Sequence, residues 1–203
     1  MYFAICRGKN YEITSANSQN CLNFVISNDV VIGIASEHKS SVHSPKVIGV
    51  GNSYFCYYTG SDSCEKIFSK KYPSHEFGNG FFIFLAISTD GIHFVFNKKI
   101  DIPVTGNLIN CYGHNPIVFG GKVLLFFTGF DGIVNRIYVS ESEDGLHFGR
   151  SYCLITPDEG SNEIGCYSCS LLKLSENSFR IYYGVRFVDN HWEIHSSLLQ
   201  INR

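Results

Sequence analysis

Ser88-Thr89-Asp90-Gly91-Ile92-His93-Phe94 returns later in the chain as Ser142-Glu143-Asp144-Gly145-Leu146-His147-Phe148, and a worn copy stands at Ser18-Gln19-Asn20-Cys21-Leu22-Asn23-Phe24. Each copy follows a strand-like run and closes a tight turn ahead of an aromatic residue. Asp90 and Asp144 can accept backbone N–H bonds across such a turn, while Gly91 and Gly145 supply the positive φ it demands. Phe94 and Phe148 then fill space between neighbouring sheets. His93 and His147 lie inside the same phrase and read as scaffold. A supersecondary unit that recurs at this spacing indicates a propeller or a solenoid.

The sequence around the phrase recurs too. Pro45-Lys46-Val47-Ile48-Gly49 opens one strand, Tyr54 to Gly60 makes the next, Phe82 to Ile87 a third, and Phe94 to Ile100 a fourth. The order repeats with Pro116 to Phe119, Val123 to Gly129, Arg136 to Ser140 and Phe148 to Ile155. These are aromatic-rich runs bounded by Gly and Asp, the pattern of antiparallel strands. A later unit has Cys169 to Leu172, Phe179 to Gly184 and Trp192 to Leu199, and the first has Tyr2 to Arg7, Tyr11 to Ala16 and Phe24 onward. Four-stranded sheets repeated about an axis form a β-propeller. The reading is a single all-β domain over 1–203, with a partial blade at 1–41, blades at 42–102 and 103–157, and a partial blade at 158–203. Residues 61–80 read as a mobile polar insertion carrying Lys66, Lys70, Lys71, Pro73 and His75. Asp62 and Asp131 match each other after Thr-Gly-x and read as turn residues.

Composition excludes several function classes. The 203 residues suffice for one domain with a real core. A net charge of −2 with scattered basic residues gives nothing to attract a phosphate backbone or anionic lipid, so neither nucleic acid nor membrane is expected as a partner. The run Met1-Tyr2-Phe3-Ala4-Ile5-Cys6-Arg7-Gly8 is too short for a signal peptide and lacks a basic leader, and the expectation is a soluble, cytoplasmic protein. The eight Cys then read as free thiols, several of them buried in apolar strands. Cys166 and Cys169 have the spacing of half a zinc site or a redox pair, but no second such pair exists.

Pro-x-Val, then Gly-x-x-Tyr-x-x-Tyr-Tyr-Thr-Gly, then Ala-x-Ser-x-Asp-Gly-x-x-Phe resembles the five-bladed propeller glycosidases, which include families 43, 32 and 68 and the family 130 phosphorylases. The likeness covers most of the chain and rests on blade-building residues. It implies about four blades of an incomplete five-bladed propeller, and a carbohydrate or glycoside ligand bound where the innermost strands begin. Aligned on Pro45, Pro116 and Cys169, those positions read His43-Ser44, His114-Asn115 and Tyr167-Ser168. The family 43 pattern places carboxylates there; this chain has Ser44, Asn115 and Tyr167. Hydrolysis by two carboxylates needs one to protonate the leaving oxygen and another to activate water or attack carbon. Glu163, just upstream of Tyr167, is the candidate general acid. His43, His114, Asn115, Tyr167 and Arg186 are the candidate substrate contacts, with His43 and His114 taken as equivalent and Arg186 as a partner for a substrate anion or for Asp189. No cofactor is expected, since the sequence identifies no third ligand to complete a metal site at the two His residues.

Two readings follow. One is a propeller that hydrolyses or transfers a glycosyl group. The other is a non-catalytic propeller that binds a glycan or a protein, with open edge strands available for a homo-oligomer.

Overall fold

The computed structural model describes residues 1–8, 10–34, 41–61, 66–76, 80–103 and 108–201, and among them there is no helix. It therefore offers no helix long and apolar enough to cross a membrane. Among the described residues, fourteen strands build four antiparallel sheets in chain order, the last two hydrogen-bonded to each other as one seven-stranded sheet. The first holds β1 (Tyr2–Arg7), β2 (Asn10–Asn17) and β3 (Val25–Ile32). The second holds β4 (Val42–Val50), β5 (Ser53–Ser61), β6 (Phe81–Ser88) and β7 (Val95–Lys99). The third has β8 (Asn110–Phe119), β9 (Lys122–Phe130), β10 (Asn135–Ser142) and β11 (Tyr152–Ile155). The fourth has β12 (Glu163–Lys173), β13 (Ser178–Phe187) and β14 (Trp192–Gln200). A single parallel pair, Asn135 with Gly165, joins the third sheet to the fourth. The innermost strands lie side by side, β4 against β8 and β8 against β12. The architecture is a partial propeller, as the repeat implies.

The period-two rule for strands explains why the sheets stack. In β5, Phe55 and Tyr57 face one neighbour and Cys56 and Tyr58 the other. The first pair joins Leu85, Leu125, Phe127 and Phe148 in a core between the second and third sheets. The second pair joins Ile13, Ile32, Val42 and Phe84 in a core between the first and second. In β9, Val123, Leu125 and Phe127 face back while Leu124 and Phe126 face forward onto Cys166, Ile181 and Val185. A strand buried on both faces has no polar side to alternate with, and Tyr54 to Gly60 and Val123 to Gly129 accordingly read as unbroken apolar runs.

The repeated phrase makes the same turn each time. Asp90 Oδ1 accepts the Ile92 and His93 N–H groups, both at 2.8 Å, and Oδ2 meets His93 Nδ1 at 2.7 Å. Asp144 repeats this with Leu146 and His147. The His93 imidazole and N–H hold Asp90 well below the usual carboxylate range, and His147 does the same for Asp144. The worn copy keeps the backbone bonds, since Asn20 Oδ1 accepts from Leu22 and Asn23 at 3.0 Å. It puts Cys21 at φ 57, where the other copies have Gly91 and Gly145 at φ 72. Each glycine turn is tied to the preceding sheet: the Tyr2 hydroxyl donates to the Gly91 carbonyl, and the Tyr57 hydroxyl to the Gly145 carbonyl at 2.7 Å. Asp131 serves as a turn residue, accepting from Ile133 and Val134 and pairing with Arg136; Asp62 lies outside the described residues.

One expectation needs correction. The insertion is not a loose polar loop over 66–76: Lys70 N–H donates to Gly132 O at 2.9 Å, Ser69 Oγ to Ile133 O at 2.6 Å, and His75 Nε2 meets Val188 O at 3.0 Å. Ile67 and Tyr72 supply the apolar contact that its charged neighbours disguised. The seven described cysteines are free thiols, with Cys56, Cys166 and Cys169 buried, Cys111 half-buried and Cys6, Cys21 and Cys153 exposed; Cys64 lies outside the described residues.

The turn glycines give a graded test. Alanine at either costs about 1–2 kcal/mol for the left-handed backbone. At Gly91 a new Cβ would meet Tyr54 no closer than 3.5 Å, whereas at Gly145 it would lie 2.9 Å from the Tyr57 hydroxyl and 3.1 Å from the Phe55 ring. Urea unfolding should show Gly145→Ala losing about 2 kcal/mol more than Gly91→Ala, through overpacking of this core.

Candidate functional site

The ends of the second strands, the starts of the third and the starts of the innermost strands all fall at one end of the sheets. The innermost strands share a device there. Each carries a β-bulge, between His43 and Lys46 in β4, Tyr112 and Asn115 in β8, and Tyr167 and Ser170 in β12. The first bulged residue is left-handed in all three: Ser44 at φ 55, Gly113 at φ 57 and Ser168 at φ 38. Bulges re-aim side chains at the rims of sheets. Gly113 is required, because a Cβ there would lie 2.5 Å from Ser168 Oγ. Ser168 N–H in turn donates to Thr128 Oγ1 at 2.8 Å, which locks the fourth sheet's bulge to the third sheet.

The register corrects the alignment on prolines. His43 pairs with Thr59, Tyr112 with Thr128 and Tyr167 with Gly184, so His43, Tyr112 and Tyr167 are the equivalent residues. His114 occupies the second bulged position, shared with Pro45 and Cys169. Asn115 corresponds to Lys46 and Ser170, and its amide donates to Cys169 O at 3.3 Å, bracing β8 against β12. The prolines misled because Pro45 sits within its bulge and Pro116 beyond its own.

The three equivalent rings belong to a row across the face. The His43 ring meets Phe81 edge-on at 5.2 Å, and Phe81 meets Tyr112 at 5.9 Å. Tyr167 lies 4.7 Å from Trp192, whose ring also lies 5.7 Å from the Arg186 guanidinium. Between the two ends of the row sits Asn135, fully buried at the start of β10, with neither amide atom bonded to the protein. The buried Tyr167 hydroxyl has no hydrogen-bond partner either. Burial raises the Tyr167 pKa; Asn135 and Arg186 stand near enough to oppose this without reaching hydrogen-bonding geometry. Burial also raises Tyr112, with Tyr167 adding to it. A buried polar group without a partner costs about 1–3 kcal/mol, so polar atoms left open at a strand-end cluster need a ligand or water to complete them.

The structure thus brings Tyr167 and Arg186 together, with His43 at the far end of the row. Arg186 does not pair with Asp189. It donates from Nη1 to Glu76 O at 3.1 Å and from Nη2 to Asn190 Oδ1 at 2.7 Å, while Asp189 takes His191. Glu163 stands apart. Its carboxylate accepts the Asp158 N–H at 2.9 Å, closing its own loop, and burial first, then the Glu163 charge, raises the Cys166 thiol pKa. His114 lies below the face, buried, with no partner on either ring nitrogen. Sequence reading missed Phe81, Tyr112, Asn135 and Trp192. Tyr112 and Trp192 begin or flank strand runs, and Asn135 is a lone amide ahead of an apolar strand; only the register joins them.

No protein-family model and no curated protein matches the chain. Its fold is similar to that of several solved structures. They include β-1,2-mannobiose phosphorylase from Listeria innocua bound to β-1,2-mannobiose, at 15% identity and TM-score 0.71 over 96% of this chain and 51% of that one. The GH32 β-fructofuranosidase of Bombyx mori matches at 12% identity and TM-score 0.68, over 97% of this chain and 41% of that one. A thermostable family-43 glycoside hydrolase matches at 14% identity and TM-score 0.63, over 96% and 66%. The chain spans about half the length of the structures it matches. These likenesses show the fold alone: a partial propeller that covers about half of such five-bladed structures.

His114 sets a pH dependence whose sign can be stated. Burial lowers its pKa to about 4; the Tyr57 backbone opposes this without bonding either ring nitrogen, and Lys46 and His43 reinforce it. Burial lowers His43 too. The unfolded chain binds a proton at His114 near the ordinary value of 6.5 and the folded chain only near 4. Above pH 6.5 the residue is neutral in both states and adds no pH dependence, and stability falls as pH drops from there toward 4, by about 3 kcal/mol at the limit. His114→Met should flatten this slope in urea midpoints measured from about pH 7 to about pH 4.5.

Proposed function

We propose that this chain recognises a glycan at the strand-end face through the row His43, Phe81, Tyr112, Tyr167 and Trp192, with Asn135 and Arg186 taking the sugar hydroxyls. One observation carries the reading: the buried Asn135 amide and Tyr167 hydroxyl, side by side without protein partners, within a row of rings. Sugars present apolar C–H faces and a dense rim of hydroxyls. Aromatic rings suit the first, and fixed amide, phenol and guanidinium groups suit the second. The similarity to carbohydrate-active propellers supports the same class of ligand, and the β-1,2-mannobiose bound by the Listeria relative is the natural first probe.

Recognition is better supported than turnover. The bulges of the innermost strands present His43, Ser44, Tyr112, Gly113, Tyr167 and Ser168, none of them a carboxylate, and Glu163, which opens β12, bonds the Asp158 N–H. A glycosidase needs two carboxylates. The second reading, a glycosyl hydrolase or transferase with Glu163 as acid, draws on the fold similarity. It requires Glu163 to leave the Asp158 amide and turn toward the face.

Tyr167→Phe tests the recognition reading cleanly. The hydroxyl it removes bonds nothing in the protein, so thermal stability should hold or rise, while glycan affinity by calorimetry should fall about tenfold. A loss of stability with unchanged affinity would sink the reading. Glu163→Gln separates the two functions: recognition expects no turnover in either form and equal affinity, whereas lost turnover with retained binding would favour the glycosidase.

A further inference from the structure

The segment 66–76 leaves the second sheet and crosses to the tops of the third and fourth. An ion pair between Lys66 Nζ and Glu76 at 2.9 Å and a bridge between Phe68 and Glu76 close it into a compact loop with its ends together. Its anchors are spread over two sheets. Ser69 and Lys70 bond Ile133 O and Gly132 O in the turn after β9, and His75 bonds Val188 O in the turn after β13. Arg186 reaches from β13 to Glu76 O. Ile67 and Tyr72 pack on Phe130, Ile164 and Tyr167, with Tyr112 at the edge of the same cluster. The segment therefore lies on the residues that make up the ring row and its unpartnered polar centre.

We propose that residues 66–76 are an occluding strap that holds this face closed, and that a ligand reaches Tyr167 and Asn135 only when the strap lifts. The nature of that ligand rests on the glycan reading above; the closure does not. Among the described residues the strap is fastened by hydrogen bonds of modest individual strength and a small apolar contact, the profile of a segment that opens locally without global unfolding. As part of the chain it competes with ligand at a high effective concentration, so a lifted strap means tighter binding.

Lys70 and Lys71 within the strap make its opening measurable by trypsin, because cleavage of a transiently opened segment tracks the open population. The double variant Ser69→Ala, His75→Ala removes two anchors and should raise the rate of cutting there about tenfold. Tyr167 reports closure directly. In the intact protein it should resist nitration by tetranitromethane while Tyr152, 62% exposed, reacts. After the strap is cut, and in the uncut double variant, Tyr167 should react, with unchanged circular dichroism showing that the sheets persist. Unchanged cutting in the double variant, or a Tyr167 still protected once the strap is severed, would overturn the proposal. No glycan enters the assay, so a failed glycan screen would leave the strap standing and only the recognition reading would fall.

Discussion

The interaction on which this fold turns is the hydrogen bond from a tyrosine on one sheet to a glycine carbonyl in the turn of the next. Tyr57 makes it to Gly145 at 2.7 Å, and Tyr2, at the equivalent position of the first sheet, makes it to Gly91. A phenol at the second strand can reach that carbonyl only if the turn presents it, and the turn does so only with a left-handed residue after the aspartate. The aspartate is free to hold the turn because its oxygens are occupied by backbone N–H groups and a histidine. One phrase of seven residues thus sets both a hairpin and the seating of one sheet on another. The positions of the innermost strand starts follow from that seating, and with them the rows of side chains at the face.

Much of this was legible beforehand. The serine, aspartate and glycine of the phrase have few interpretations in physical terms, and unbroken runs such as Val123 to Gly129 identify strands covered on both sides. Legibility failed where a bulge intervened. An added residue leaves no mark in composition, and Pro45 and Pro116 looked equivalent because prolines attract the eye. Asn135 could not be found because its significance lies in what it lacks, and a missing partner has no sequence signature. The 66–76 segment failed for another reason: Lys66, Lys70 and Lys71 set its apparent character, while Ile67 and Tyr72 set its location.

The face illustrates how a repeated scaffold carries unrepeated chemistry. Three bulges of one geometry aim His43, Tyr112 and Tyr167, yet one is an imidazole and two are phenols, each with its own neighbours. The scaffold fixes where side chains project and leaves open which ones they are. At the three bulges this chain has an imidazole and two phenols, and the Glu163 carboxylate is occupied in closing a loop.

In a chain of stacked sheets each unit normally feels only its neighbours, so stability adds up along a line and a disturbance fades with distance. The segment 66–76 breaks that rule, because it starts from the second sheet and is fastened to the fourth. It couples units that do not touch and should merge the second, third and fourth sheets into one cooperative block. Among the described residues the first sheet has no such tie, and its turn is the one that lacks both the glycine and the histidine. The molecule is then a three-sheet body with a more weakly held neighbour, and its melting would begin at Tyr2 rather than at the face.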